Sequence, residues 1–457
     1  MRLLDSKTLR FKVFEDGTVP RYAALSHTWG DDEILLQEME KDVVRNNQGY
    51  RKVFQTAAQA AKDNIPYIWV DTCCIDKTSS AELSEAINSM YTWYRNAEVC
   101  YAYLSDVFYT ASNTQGFSTL QGFKESRWFT RGWTLQELLA PGRLLFFDRD
   151  WQTVGSKADL EEKVSRITGI HIAALRGEDL RTFTVAQRMC WASKRVTTRV
   201  EDLAYCLLGI FDVNMPLLYG EGQKSFTRLQ EAIMANTEDQ TLFAWKDLDL
   251  PPGFTTGLLA RSPACFMESG IFSFPEIWGR GVASEVTNKG IYTNLFLIPS
   301  DEIGIVRACL GCTIDAFSND GPAIYLRRTS SLRTTMEKQD EYTRVRVDRL
   351  DMLTGAEKAG GTREEVYVKK LDELRLNRVR EYRNVKVFWI NIGSCRVYPE
   401  RQWNPQSQIF WSPDTVDGKM GAVHLSVSDL PLFDYIRHFF LGAALVSYRP
   451  DYLGRLI

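Results

Sequence analysis

Tyr22-Ala-Ala-Leu-Ser-His-Thr-Trp-Gly-Asp-Asp32 is the stretch whose reading decides the fold. Its first four residues form a continuous apolar run, which predicts a strand buried on both faces. The run stops at Ser26, and the polar, glycine-containing residues Ser26 to Asp32 predict a loop at the strand's carboxyl end. Working outward, Arg51 to Lys62 puts Val53, Phe54, Ala57, Ala58 and Ala61 on one face and predicts a helix. Ile65 to Val70 predicts a second buried strand, ending at Asp71. Ala81 to Asn96 predicts a second helix with Leu83, Ile87, Met90, Tyr91 and Tyr94 inward, and Val99 to Leu104 a third strand. Trp128 to Leu139 predicts a third helix stopped by Pro141-Gly142, and Arg143 to Phe147 a fourth strand.

Strand and helix alternate, and each strand is almost wholly apolar. Residues 1–150 are therefore expected to be a doubly wound α/β domain, a parallel sheet with helices on both faces. Such folds bind ligands at the carboxyl ends of their strands, where Ser26–Asp32, Asp71–Asp76 and the stretch from Ser105 gather. Residues 151–249 are expected to form a helical extension packed on that domain, with Leu203, Tyr205, Cys206, Leu207 and Leu208 buried. Pro251-Pro252-Gly253 breaks the chain, and the runs Gly290–Ile298, Ile303–Ile314, Tyr342–Val347, Val385–Ile390 and Ala422–Val427 predict a mostly β C-terminal domain over 250–457. Glu357 to Glu365 is expected to be an exposed loop.

Composition narrows the function. A formal net charge of −3 supplies no field that would draw the chain to nucleic acid or anionic membrane. The longest apolar stretch near the end, Phe439 to Val446, is too short to span a bilayer. The N-terminus lacks the apolar core of a secretion signal, and nine irregularly spaced cysteines fit reduced thiols, so a cytoplasmic location is expected. Cys309-x-x-Cys312 stands alone and the four histidines are scattered, which argues against a metal centre. No Gly-x-x-x-x-Gly-Lys-[Ser/Thr] occurs, so assembly would not be driven by a P-loop in this chain.

Three blocks resemble the signatures of the fungal heterokaryon incompatibility (HET) domain. They are Tyr22 to Gly30, Ile68-Trp-Val-Asp-Thr-Cys-Cys-Ile-Asp76 and Arg127-Trp-Phe-Thr-Arg-Gly-Trp-Thr-Leu-Gln-Glu-Leu138. Val200 to Gly209 and Pro216 to Gly222 resemble the segment that follows that domain, so the likeness covers about half the chain. The family is similar in turn to the Toll/interleukin-1 receptor (TIR) fold, in which a first strand runs into a Ser-containing acidic loop. A later TIR helix carries a tryptophan followed by a glutamate, as in Trp133-Thr-Leu-Gln-Glu137-Leu138. Several TIR domains cleave NAD with that glutamate, so the resemblance implies Glu137 as catalytic, NAD or a related nucleotide as substrate, and no other cofactor. Thr134 stands where TIR proteins often have cysteine, and the arginine common in their first loop is absent. The family also implies a homo-oligomer on activation and an upstream receptor.

Breaking the nicotinamide–ribose bond releases a good, already cationic leaving group through an oxocarbenium-like transition state, which one carboxylate near the ribose can stabilise. Ser26, His27, Trp29, Asp31 and Asp32 of the first loop, Asp71 at the second strand's end and Trp133 would line the site. The competing reading makes each structural: Ser26, Asp31 and Asp32 capping turns, Asp71 capping its own turn, Trp133 in the core, and Glu137 a solvated helix carboxylate paired with Arg131 or Arg143. Arg188, Arg195 and Arg199 would reach a pyrophosphate or pair with Glu201 and Asp202 at the surface. The chain then reads as an NAD-cleaving cell-death effector, as a non-catalytic TIR-like signalling and assembly module, or as a HET scaffold turned to other small-molecule chemistry.

Overall fold

A short hairpin, β1 (Arg2–Asp5) and β2 (Phe11–Val13), opens the chain, and its strands are too brief to show a period in the sequence. Next come β3 (Tyr22–His27), α1 (Leu36–Glu40), α2 (Gln48–Lys62) and β4 (Tyr67–Trp69). They are followed by α3 (Ser80–Asn96), β5 (Val99–Tyr103) and a hairpin of β6 (Phe108–Thr110) and β7 (Thr119–Gln121). α4 (Thr134–Leu139), β8 (Leu144–Phe147) and β9 (Thr153–Ser156) complete the domain. This is a computed structural model. It describes residues 1–370 apart from 16, 41–46, 111–118, 251–253, 275–282, 303, 315–318, 330–339 and 359, and beyond 370 eight short strands between 383 and 456.

The first sheet runs β2-β1-β4-β3-β5-β8-β9. Its inner four strands are parallel, whereas β1, β2 and β9 join antiparallel at the flanks. β3 lies between β4 on one side and β5 on the other, so successive connections leave it in opposite directions. The crevice at its carboxyl end is the topological switch point where such sheets bind ligands. Helices cover both faces. Successive strand residues point oppositely, and Ser26 meets Glu137 of α4 while His27 meets Lys52 of α2. α3 buries Ala86, Ile87, Met90 and Tyr94 as a stripe and touches α4 through Met90 and Gln136.

Two sequence expectations change at this point. β3 does not stop at Leu25: Ser26 and His27 pair with Ala102 and Tyr103 of β5 and are the strand's last residues. Their polar side chains are tolerated there because each finds partners on its own face. The helix expected over 128–139 is broken into a 3₁₀ turn, Arg127–Thr130, and the six-residue α4. The break falls at Arg131-Gly132, where Val196 docks as a parallel bridge. A Cβ on Gly132 would sit 2.4 Å from the Thr197 methyl, so any larger residue would have to push Thr197 aside.

Within residues 151–249 lie six α-helices, from Glu161–Thr168 to Lys224–Asn236, with a 3₁₀ turn at Leu180–Thr182 between the second and third. The stretches resembling the family's later segment form a clasp. Glu201 accepts from Gly220 and Gly222, Tyr219 donates to Asp202, and Tyr205 donates to Glu221. Gly209 lets Leu208–Phe211 lie against α3, since a Cβ there would be 2.1 Å from the Tyr91 Cβ. Gly209→Ala is therefore expected to destabilise the fold by about 2 kcal/mol or more, read as a lower denaturation midpoint.

Strands between Glu285 and Val368 pair antiparallel, except that Asp340–Val345 and Thr362–Val368 are parallel. Gly290–Pro299 also pairs with Thr362–Val368, which closes five strands on themselves around Ile291, Leu295, Ile324, Leu326 and Val366. Residues 357–365, expected to be an exposed loop, contain the end of a short helix and the start of that last strand. The break at 251–253 lies outside the described residues. The chain divides into one unit of Met1–Asp372 and another of Glu373–Ile457, so the closed sheet shares a unit with the α/β domain. Arg344 ties them: its guanidinium is fully buried, donates to the Phe243 and Trp245 carbonyls at 2.9 and 2.5 Å, and stacks on the Trp245 ring. In the second unit the described strands pair antiparallel in two small sheets.

Candidate functional site

The side chains at the carboxyl end of β3 divide between two faces. On the α4 face, the Ser26 hydroxyl donates to Glu137 Oε2 at 2.5 Å and accepts from the Trp128 indole N–H at 2.8 Å. Ser26 is wholly buried and Glu137 is 5% exposed, so this pair is internal. Burial raises the Glu137 carboxyl to about pH 8, and the Asp71 charge adds to the rise. The Ser26 bond and the distant Arg195 and Arg131 charges pull the other way. At neutral pH Glu137 is mostly a protonated acid.

On the opposite face, His27 Nε2 meets Asp71 Oδ1 at 3.1 Å, and the Trp29 indole donates to Asp71 Oδ2 at 2.8 Å. Lys52 Nζ lies 3.2 Å from His27 Nδ1 and is paired with Glu33. An ammonium can only donate, so Nδ1 accepts and the Nε2 proton faces Asp71. Burial alone would raise the Asp71 carboxyl, but the hydrogen bond from His27, the Lys77 charge and the Trp29 N–H hold it below the ordinary value. The Lys77 ammonium sits 3.7 Å from the centre of the Trp29 ring, which fixes the half-exposed indole over the strand ends.

The fold thus joins Ser26 with Glu137, and His27 and Trp29 with Asp71. It does not bring in every expected residue. Asp31 and Asp32 are exposed at the tip of the loop, outside both networks. Trp133 is half-buried and lies toward the Asp202 carboxyl, so the aromatic beside Glu137 is Trp128. The displacement follows from the broken helix: the 3₁₀ turn swings Trp128 inward, while Trp133 faces the clasp. Glu137 pairs with neither Arg131, which bonds Thr198, nor the exposed Arg143.

The basic stretch also differs from expectation. Arg188 and Arg195 are buried, and Arg199 stacks on Tyr219, so none of the three forms a surface pair with Glu201 or Asp202. Sequence reasoning did not single out Trp128, Lys52, Glu33 or Lys77. Trp128 sits in the third signature block, and Lys52 was masked by the apolar pattern of its helix.

No group of side chains among the described residues could hold a metal ion. The eight described cysteines are free thiols. The hydrogen bond with the neighbouring Cys74, and then burial, push the Cys73 thiol up, contrary to what a nucleophile needs. A cleft lined by Lys246, Asp247, Arg261, Cys265 and Glu268 lies elsewhere and is filled by its own ion pairs, Arg261–Asp247 at 2.6 Å and Lys246–Glu268. The chemistry that concentrates at the switch point is that of a buried acid held by the Ser26 hydroxyl, with an ionised Asp71 on the opposite face.

Comparison with known proteins agrees with the first two signature blocks. The family model of the heterokaryon incompatibility protein (HET) matches residues 22–120, and a domain of unknown function (DUF8212) matches residues 224–267. The chain is 47% identical over 241 residues to vegetative incompatibility protein HET-E-1 of Podospora anserina. That alignment covers 51% of this chain and 18% of the relative, so the chain spans a small part of the relative's length. No solved structure gives a significant match. No described helix is long and apolar enough to cross a membrane. The N-terminal part of this chain is a fungal heterokaryon incompatibility (HET) domain.

Proposed function

We propose that this HET domain cleaves NAD at the nicotinamide–ribose bond, with Glu137 as the carboxylate that stabilises the oxocarbenium-like transition state. The observation that carries the reading is the Ser26–Glu137 bond, which joins two signature blocks 111 residues apart at the switch point of the sheet. Nicotinamide leaves neutral with the electrons of its bond to ribose. Water adds at the same carbon and releases a proton, giving ADP-ribose. The parallel strand order around β3 supports the TIR-like reading of the core. Asp71, the His27 ring and the Trp29 indole, bonded to one another at these strand ends, are the groups this reading assigns to the ribose hydroxyls and a planar base. On this reading the cleavage is the killing step of an incompatibility response, set off when an upstream receptor brings copies of the chain together.

Stabilising a cation requires the ionised carboxylate, whereas Glu137 at rest holds its proton up to about pH 8. The rate of nicotinamide release at low NAD is therefore expected to climb about tenfold per pH unit below that value and level off above it. Purified full-length chain assayed between pH 6 and 9 provides the test. A rate that falls with rising pH would make Glu137 a proton donor instead.

Burial of the Ser26–Glu137 pair favours a second reading, in which the acid is internal mortar and the domain is a non-catalytic assembly module. A chain that leaves NAD intact even when artificially clustered would select it.

A further inference from the structure

We propose that Arg195 is a positioning residue for Glu137, acting through Thr134, the Trp128 turn and Ser26, so that the segment after residue 192 completes the site. Arg195 is buried, although it comes from the helical extension rather than from the sheet domain. Its Nη1 donates to the Arg131 carbonyl at 2.8 Å and to Thr134 Oγ1 at 2.9 Å. A guanidinium only donates, so the Thr134 hydroxyl accepts there and must send its single proton elsewhere. The Trp128 carbonyl at 2.5 Å and the Arg131 carbonyl at 2.9 Å are both within its reach, and the shorter contact is to Trp128. This bond fixes the 3₁₀ turn that carries Trp128.

The same logic then repeats. The Trp128 indole also only donates, at 2.8 Å to Ser26, so the Ser26 proton is directed to Glu137. Two hydroxyls are each oriented by a group that cannot accept. The backbone locks the arrangement from both sides, with Val196 N–H donating to the Thr130 carbonyl at 2.7 Å and Gly132 N–H to the Val196 carbonyl at 2.9 Å. Thr134 and Glu137 lie three residues apart on α4, hence on one face. Arg195 Nη2 has no hydrogen-bond partner although it is buried, so the guanidinium is held for what Nη1 does and for its charge. A residue kept only for packing would not need a buried charge.

The functional meaning of this arrangement rests on the proposed role of Glu137, but its test reads ionisation and not NAD cleavage, so the two fail separately. Besides Arg195, the groups acting on Glu137 are Asp71 beyond β4, Arg131 before α4, Tyr94 of α3 and Cys100 of β5. Infrared difference titration of the full chain follows the carboxyl band, and Glu137→Gln identifies it. Thr134→Val keeps the Arg195 charge and the side-chain shape but removes the hydroxyl. Its Glu137 midpoint is expected to rise by about one pH unit, because the Ser26 donor is no longer aimed at the ionised form. Arg195→Ala is expected to raise it further, and Arg195→Lys to recover only part of the loss. A Thr134→Val midpoint equal to that of the wild type overturns the proposal whatever Arg195→Ala does, since charge alone would then account for Arg195. If Arg195→Ala does not fold, Thr134→Val still decides.

Discussion

Glu137→Gln is expected to lower nicotinamide release by roughly two orders of magnitude or more, while making the folded chain more stable at neutral pH. Gln keeps the shape and can still accept from Ser26, but it cannot carry the negative charge that the ribose cation needs. The gain in stability follows from burial. The folded-state carboxyl titrates at about 8, well above its ordinary 4.5, so between those values the folded chain holds a proton that the unfolded chain has released. Wild-type stability therefore falls as pH rises through that window, by a few kcal/mol in all. The variant is neutral throughout and escapes the fall. Thermal unfolding at pH 5 and pH 8 should show the two proteins converging at the lower pH and separating by several degrees at the higher. Equal NAD cleavage by the variant would move the reaction to Asp71 or the first loop. Equal pH slopes would mean that the carboxyl is not buried in solution.

Arg344→Ala is expected to cost about 3–5 kcal/mol, because it strands two buried carbonyls and opens a cavity beside Trp245. Both carbonyls, of Phe243 and Trp245, belong to the stretch just after the last long helix, whereas Arg344 belongs to the closed sheet. The loss should appear as a large drop in urea midpoint and as early proteolysis between residues 246 and 290. A loss below about 1 kcal/mol would show that the carbonyls find water instead.

Residues differ in how far their roles could be read from the chain alone. Ser26 and Glu137 stand in signature blocks, and the alternation of apolar runs already brings both to the same edge of a parallel sheet. The pairing of His27 with Asp71 was not legible, since it depends on the strand running two residues further than its apolar part. Trp133 was expected where Trp128 lies because periodicity sees a continuous helix from 128 to 139. What breaks that helix is Val196 against Gly132, a contact across 64 residues of sequence that no local pattern carries. Arg195 was hidden for the same reason: its partners are a carbonyl and a hydroxyl, so no complementary charge marks the site. The closed sheet of 290–368 was visible as strands, but its closure depends on a pairing of its first long strand with its last.

α4 has only six residues, too few to persist as a helix without outside support. It is clamped at one end by Lys157, which donates to the Leu138 and Pro141 carbonyls, and at the other by Arg195. During synthesis these clamps arrive late. Strands β3, β4, β5 and β8 have all been synthesised by residue 147, and domains fold from the N-terminus as the chain emerges. A nascent chain that ends before residue 195 thus holds a paired sheet with an unseated carboxylate. On the reading proposed here the order of translation is itself a safeguard, for the ribosome cannot present a competent NAD-consuming site until Arg195 has been made and has emerged.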